Sequence, residues 1–250
     1  NGALARLQKH ETIDEIWEEL QSNQEIYEEE IKFIKKQWYH RLNGYWFFNN
    51  GKPTYIDGWH YLYCSWWYID VGIPKYRDRD RKFFIFARYI YTDKTTFSEI
   101  DAKGNAIRSK ETGYFEMKNV GSRVHYGFNY PKHRREGATY KAECINYELI
   151  SRTIGAWGGI QSMNDTQAKK CFLKHLVGPW KKLPFFFKPN YEGSTSPKTE
   201  LSFSPPAKRL SSKGSLANSE IGLESMINYD NADPAAYDGD KLYFHHDDEV

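Results

Sequence analysis

Between Val124 and Ile145 the chain reads VHYGFNYPKHRREGATYKAECI, and this stretch restricts the fold more than any other. Val124, Tyr126, Phe128 and Tyr130 alternate with small or polar neighbours, the period of a strand with one covered face. Pro131 closes the run, because it lacks the N–H that a ladder needs. A polar turn with Arg134, Arg135 and Gly137 follows, and the pattern then becomes helical. Strand, phosphate-sized turn and helix is the layout of a nucleotide-binding P-loop, G-x-x-x-x-G-K-[ST]. Gly137 and Thr139 hold their pattern positions, whereas Lys132 stands where the first glycine belongs and Ala138 where the lysine belongs.

Such a loop works because successive backbone N–H groups converge on phosphates at a helix N-terminus. Gly137 permits the bend and Thr139 offers a hydroxyl to Mg²⁺, but a cation must also neutralise the β- and γ-phosphates. Ala138 cannot do that. Lys132 lies at the opening of the loop, and Arg134 and Arg135 add planar, bidentate phosphate donors. The positive charge has moved rather than vanished. Taken alone, the pattern fits a basic strand-to-helix turn as well as it fits a nucleotide site.

A second feature supports the nucleotide reading. Tyr237–Asp240 makes a turn, and Lys241–His246 enters a strand-like run that ends in Asp247-Asp248-Glu249. A strand ending in an acidic pair downstream of a phosphate loop is the other half of an ATPase signature: the first acid holds Mg²⁺ and the second polarises the attacking water. His245 and His246 beside the acids suggest a metal cluster as an alternative. Adjacent residues of a strand point to opposite faces, which disfavours it.

The intervening chain predicts alternating elements. Tyr140–Thr153 reads as a helix, and Ile154–Ser162 as a glycine-rich buried strand with its turn. Asn164 or Asp165 caps a helix over Thr166–Val177 that ends at Gly178-Pro179. This alternation predicts an α/β fold with a mainly parallel sheet flanked by helices. Pro189–Asn218 shifts to Ser, Pro, Gly and Lys, with Lys208, Arg209 and Lys213. It reads as a solvated insertion between sheet strands, or as a loop touching a nucleic-acid backbone.

Upstream, Glu11–His40 is an acidic amphipathic helical stretch carrying Ile13, Ile16, Trp17, Leu20, Ile31, Ile34 and Trp38 at helical spacing. Tyr45–Asp70 is dense in tryptophan and tyrosine, side chains that stack on single-stranded bases. No lysine or arginine lies between Thr54 and Pro74, so core packing is the better reading. Tyr76–Tyr91 starts with alternating charges, Asp78 and Asp80 among them, and becomes an apolar helix. Thr92–Lys118 suggests a surface hairpin around Lys103-Gly104-Asn105.

Lysine and arginine number 35 against 33 aspartates and glutamates, which excludes a generally basic nucleic-acid coat but not a local basic groove. Cys64, Cys144 and Cys171 stand apart and out of metal spacing, as reduced thiols of an intracellular protein do. The longest apolar run, Tyr61–Ile69, falls short of the about 20 residues that span a bilayer. A soluble, cytoplasmic-type protein without a membrane segment is expected.

PKHRREGAT, LYFHHDDE and the segment between them resemble the ATPase half of a tailed-phage terminase large subunit, in particular those of the crAss-like phages of gut Bacteroides hosts. In that family the phosphate loop begins with its lysine and holds an arginine, as Lys132, Arg134 and Arg135 do, with Gly137, Ala138 and Thr139 closing the loop. The Asp-Glu pair of the family falls on Asp248 and Glu249, with Asp247 as an alternative metal ligand one residue earlier. YRDRDRKFF resembles the adenine-recognition segment, which makes Arg77 and Asp80 base contacts. The resemblance implies a RecA/ASCE-like P-loop NTPase domain over residues 76–250, preceded by a helical and aromatic-rich region, 1–75. It further implies ATP and Mg²⁺ as cofactors, with Mg²⁺ on Thr139 and Asp248 and Glu249 orienting the water. Implied partners are double-stranded DNA, a portal protein, a small terminase subunit and further copies of the chain on the portal, in the host cytoplasm.

Tyr243, Phe244, His245 and His246 depart from the aliphatic run usual in the family's acidic strand. The chain starts without a methionine and stops just after an acidic cluster, so it reads as part of a longer protein whose coupling motif and nuclease domain follow Val250. A helicase-type P-loop ATPase and a degenerate, non-hydrolysing module that binds DNA or the portal are the alternative readings.

Overall fold

The computed structural model describes Leu7, residues 13–91, 127–131, 136–191, 196–204, 223–231, 233 and 235–248, together with the backbone of 94–97 and 117–120. Two compact units emerge, one from residues 1–75 and 135–250 and one from 76–134. The helices are α1 (Ile13–Ser22), α2 (Glu28–Asn43), α3 (Gly58–Trp66), α4 (Asp78–Tyr91), α5 (Ala138–Ile150), α6 (Asp165–Lys170) and α7 (Gly178–Lys182). The strands are β1 (Tyr45–Asn49), β2 (Lys52–Ile56), β3 (Lys94–Phe97), β4 (Met117–Val120), β5 (Trp157–Ser162), β6 (Glu200–Phe203), β7 (Ser225–Asn231) and β8 (Phe244–Asp248).

In the first unit, a mixed sheet of order β6-β7-β5-β8 carries α5 and α6. β7, β5 and β8 run parallel, and β6 is an antiparallel edge. Ser162 pairs in register with Asn231 on one side and Asp248 on the other, so the three parallel strands end level. Level carboxyl ends create the crevice in which open α/β sheets take ligands. The expected β5 is present, and its glycines serve close approach: a Cβ on Gly158 would collide with Asn146 and Ile150 of α5. β6 corrects the reading of Pro189–Asn218 as wholly solvated. Leu201 and Phe203 are fully buried, and burying that alternating pair makes this piece a strand; Lys208, Arg209 and Lys213 lie outside the described residues.

Asn164 caps α6 by accepting a hydrogen bond from the Gln167 N–H, as expected. The helix does not stop at Gly178-Pro179. It widens into π-helical turns over Cys171–Val177 and continues as α7, which contains Pro179. The single helical stretch expected over Glu11–His40 is also two helices. The backbone carbonyl of Asn23 accepts from the N–H groups of Ile26 and Tyr27, and Glu28, Glu29 and Glu30 open a fresh first turn.

Several of the early aromatics find their partners in the turn Phe185–Phe187. Trp17 meets Phe185, Phe33 meets Phe186, and Trp38 meets Phe187, at ring separations of 5.4, 6.2 and 5.3 Å. Trp38 Nε1 donates to the Phe186 carbonyl at 2.8 Å. Arg41 is fully buried among these rings and bonds Glu148 Oε2 of α5 at 2.7 Å. The core reading fails at the β1–β2 hairpin, where Trp46 and Phe48 are 65% and 78% exposed. That ribbon has two strands only, and Asn50-Gly51 closes it with both residues at positive φ, as a tight hairpin requires.

In the second unit, α4 forms as expected and β3 pairs antiparallel with β4; Lys103–Asn105 lie outside the described residues. Of the strand expected over Val124–Tyr130, residues 127–131 carry no regular structure. Gly127 has φ of +147°, outside the extended range of other residues. Phe128 and Tyr130 still share a face, but they spend it on Phe83 of α4, at 5.8 and 4.8 Å between rings, and not on a ladder. Among the described residues no helix is long and apolar enough to cross a membrane.

Candidate functional site

The site is built where the first turn of α5 faces the end of β8. Gly137 precedes α5 with φ of 70° and ψ of 27°, the left-handed region that glycine enters without strain. Among the described residues no side chain caps this 13-residue helix, so its leading N–H groups and the positive end of its dipole are offered to an anion. Ala138 is buried. Thr139 points toward β8, where its Oγ1 lies 3.3 Å from Oδ1 and 3.3 Å from Oδ2 of Asp248.

Two further contacts hold Asp248. Ser162 Oγ donates to its backbone carbonyl at 2.9 Å, across the β5–β8 register. Cys171 Sγ donates to Oδ2 at 3.4 Å from the first π-helical turn. Burial, the Asp248 charge and Glu143 all raise the Cys171 pKa, so the sulfur stays a protonated donor. Asp247 faces away, with Oδ1 3.2 Å from His245 Nε2. Of the two neighbouring acids, Asp248 is the one that meets Thr139.

A second polar pair lies one layer deeper. Glu143 sits one helical turn after Thr139, is fully buried, and places Oε1 2.6 Å from His246 Nδ1. Its other oxygen accepts from Asn146 Nδ2 at 3.1 Å. Burial opposes a charge on His246, but the hydrogen bond and charge of Glu143 outweigh it and raise the imidazole pKa. The two histidines therefore turn to opposite faces of β8. Among the described residues no group of three His, Cys, Asp or Glu side chains is arranged to hold a metal.

Next to Thr139, Tyr140 donates to Asp70 Oδ1 at 2.7 Å, and Lys174 Nζ meets Asp70 Oδ2 at 2.6 Å. Lys174 first and Tyr140 second hold the Asp70 carboxyl below its usual range. The Tyr140 ring stands edge-on to His175 at 4.4 Å. Burial pushes the His175 pKa down to about 4 and keeps the ring neutral.

The structure thus brings Gly137, Ala138, Thr139 and Asp248 together. Lys132, Arg134, Arg135 and Glu249 lie outside the described residues. Arg77 and Asp80 belong to the second unit, where Arg77 Nε bonds Asp80 Oδ2 at 2.6 Å and the Asp80 side chain is fully buried. Sequence reasoning missed Glu143, Ser162 and Cys171. The spacing of four from Thr139 signals Glu143, and the end of the β5 run signals Ser162; nothing local marks Cys171, which reaches Asp248 through a π-helical turn.

No family model matches the chain, and no curated protein or solved structure is similar enough to it to count as a match.

Proposed function

We propose that this chain is the ATP-hydrolysing motor part of a tailed-phage terminase large subunit, which drives double-stranded DNA into a procapsid. The observation that carries the reading is the Thr139–Asp248 pair: a hydroxyl in the first turn of a glycine-led helix, 3.3 Å from both oxygens of an acid at the end of a parallel strand. A hydroxyl and a carboxylate are the hard oxygen donors that Mg²⁺ takes alongside nucleotide phosphates. The hydroxyl proton is shared between two oxygens at long range, so a cation can take its place at little cost. Bound there, Mg²⁺ would offset the negative charge of the β- and γ-phosphates.

The chain's own groups have distinct roles in this reading. The leading N–H groups of α5 bind phosphate oxygens. Lys132, Arg134 and Arg135 supply the cations that Ala138 cannot, and Glu249 orients the water. Ser162 and Cys171 hold Asp248 in place. The portal, the small terminase subunit and other copies of the chain are the partners expected of such a motor.

The burial of Ala138, where the usual lysine belongs, favours a second reading, a non-hydrolysing module that binds DNA or the portal. Equilibrium binding of a fluorescent ATP analogue with and without Mg²⁺, together with phosphate release, tests both. Mg²⁺-dependent binding with turnover supports the motor. Binding without turnover supports the module, and no binding removes the nucleotide site.

A further inference from the structure

A cleft of about 360 Å³ in the first unit shares no residue with the Thr139–Asp248 site. Tyr61, Trp66 and Tyr68 line it together with Gln37, Ser65 and Lys182. We propose that it is a separate ligand site, which takes a planar aromatic group bearing an anion, of the kind a nucleoside monophosphate presents, and needs no metal ion.

The walls are built and not incidental. Trp66 stands edge-on to Phe186 and Phe187 at 5.7 and 5.8 Å, which fixes its ring plane. Tyr61 is 6% exposed and donates its hydroxyl to the buried Gln37 Oε1. That bond uses the amide oxygen of Gln37, leaving its two N–H donors for the cleft. Ser65 adds a hydroxyl that donates or accepts. Three aromatic walls favour a flat ring, since stacking tolerates any π-face.

The charge comes from Lys182. Its ammonium is 5.2 Å from the centre of the Tyr68 ring, and among the described residues it has no carboxylate partner. A cation held over an aromatic face at an aromatic-lined cleft matches a ring that carries a negative group. The volume is at the small end of ligand pockets, roughly 300–1,000 Å³, and admits one ring system with its charged appendage. Neither a bare anion nor a long chain would use these walls.

Calorimetric titration of the full chain with AMP in EDTA tests this directly, with adenosine and inorganic phosphate as separate probes. Saturable AMP binding is expected, with adenosine about tenfold weaker for want of the charge and phosphate alone not detected. Lys182→Met should reduce AMP to the affinity of adenosine at unchanged melting temperature, because Lys182 is exposed. Thr139→Ala should leave AMP binding intact. Absence of saturable AMP binding, AMP binding unchanged in Lys182→Met, or AMP binding abolished by Thr139→Ala each overturns the proposal. Because the titration contains no metal, its result stands apart from the Mg²⁺-dependent test of the motor.

Discussion

Thr139 Oγ1 is equidistant, at 3.3 Å, from both carboxylate oxygens of Asp248, and this contact joins the leading turn of α5 to the end of β8. Hydroxyl and acid face one another across the level carboxyl ends of the parallel strands, with Ser162 fixing the acid's backbone from β5. If Mg²⁺ is held here, both donors matter and their chemistry matters more than their bulk. Asp248→Asn and Thr139→Ala should each weaken Mg²⁺-dependent nucleotide binding by about ten- to a hundredfold, the value of a lost hydrogen bond to charge. Thr139→Ser should retain most of it. Fluorescent-analogue titrations at fixed Mg²⁺ measure this, and an Asp248→Asn variant with unchanged affinity would remove Asp248 from the site.

Glu249 follows Asp248 directly in the chain, and its proposed part is in the chemistry and not in binding. Glu249→Gln keeps size and hydrogen bonding but cannot polarise a water as a carboxylate does. ATP turnover should fall by about 10²- to 10⁴-fold, the range of general-base effects, while nucleotide affinity stays within a few-fold. Steady-state phosphate release read beside equilibrium binding separates the two. Turnover at the unmodified rate would assign the water to another group.

Much of this layout was legible because it is local. Gly137 before a helix, the glycine-rich β5 and the turn ahead of β8 each announce themselves through backbone chemistry, and their order brings Thr139 toward Asp248. What was not legible depends on distant partners. Trp17, Trp38 and Arg41 are explained by Phe185–Phe187 and Glu148, far along the chain. The π-helical turns over Cys171–Val177 satisfy ordinary helical spacing in sequence, so the contact from Cys171 to Asp248 leaves no trace there. β6 hides in a polar segment because two buried side chains, Leu201 and Phe203, are enough to seat an edge strand. The alternation of Phe128 and Tyr130 marks a shared face correctly, yet a face can be covered by a helix as well as by a sheet.

His175 makes stability depend on pH from the acid side. Its folded pKa is lowered to about 4, chiefly by burial, against an unfolded value of about 6.5. The unfolded chain therefore binds the proton more readily. The contribution is complete above about pH 6.5 and is lost as the pH falls toward 4. Thermal melts between these limits should show the wild type losing stability relative to His175→Phe as the pH drops, because phenylalanine keeps the packing on Tyr140 but has nothing to protonate. Parallel pH profiles would show that the ring is protonated as easily folded as unfolded.

Arg41 ties the early helices to α5 through a buried charge. Its Nε meets Glu148 Oε2 at 2.7 Å, with both side chains essentially out of solvent, and its guanidinium also bonds Ser151 and the Phe187 carbonyl. Arg152 also pairs with Glu148, but is 29% exposed. Removing one partner of a buried pair leaves the other charge poorly compensated, at a cost of about 3–5 kcal/mol, whereas a partly exposed pair contributes about 1 kcal/mol or less. Arg41→Met should therefore lower the melting temperature by on the order of 10 °C for a chain of this size, and Arg152→Met by only a few degrees. The double change Arg41→Met with Glu148→Leu should recover part of the loss, since neither charge then remains buried alone. Equal effects of the two single changes would show that Glu148 is neutralised as well by Arg152 as by Arg41, and that residues 1–75 are held to α5 by their aromatic packing instead.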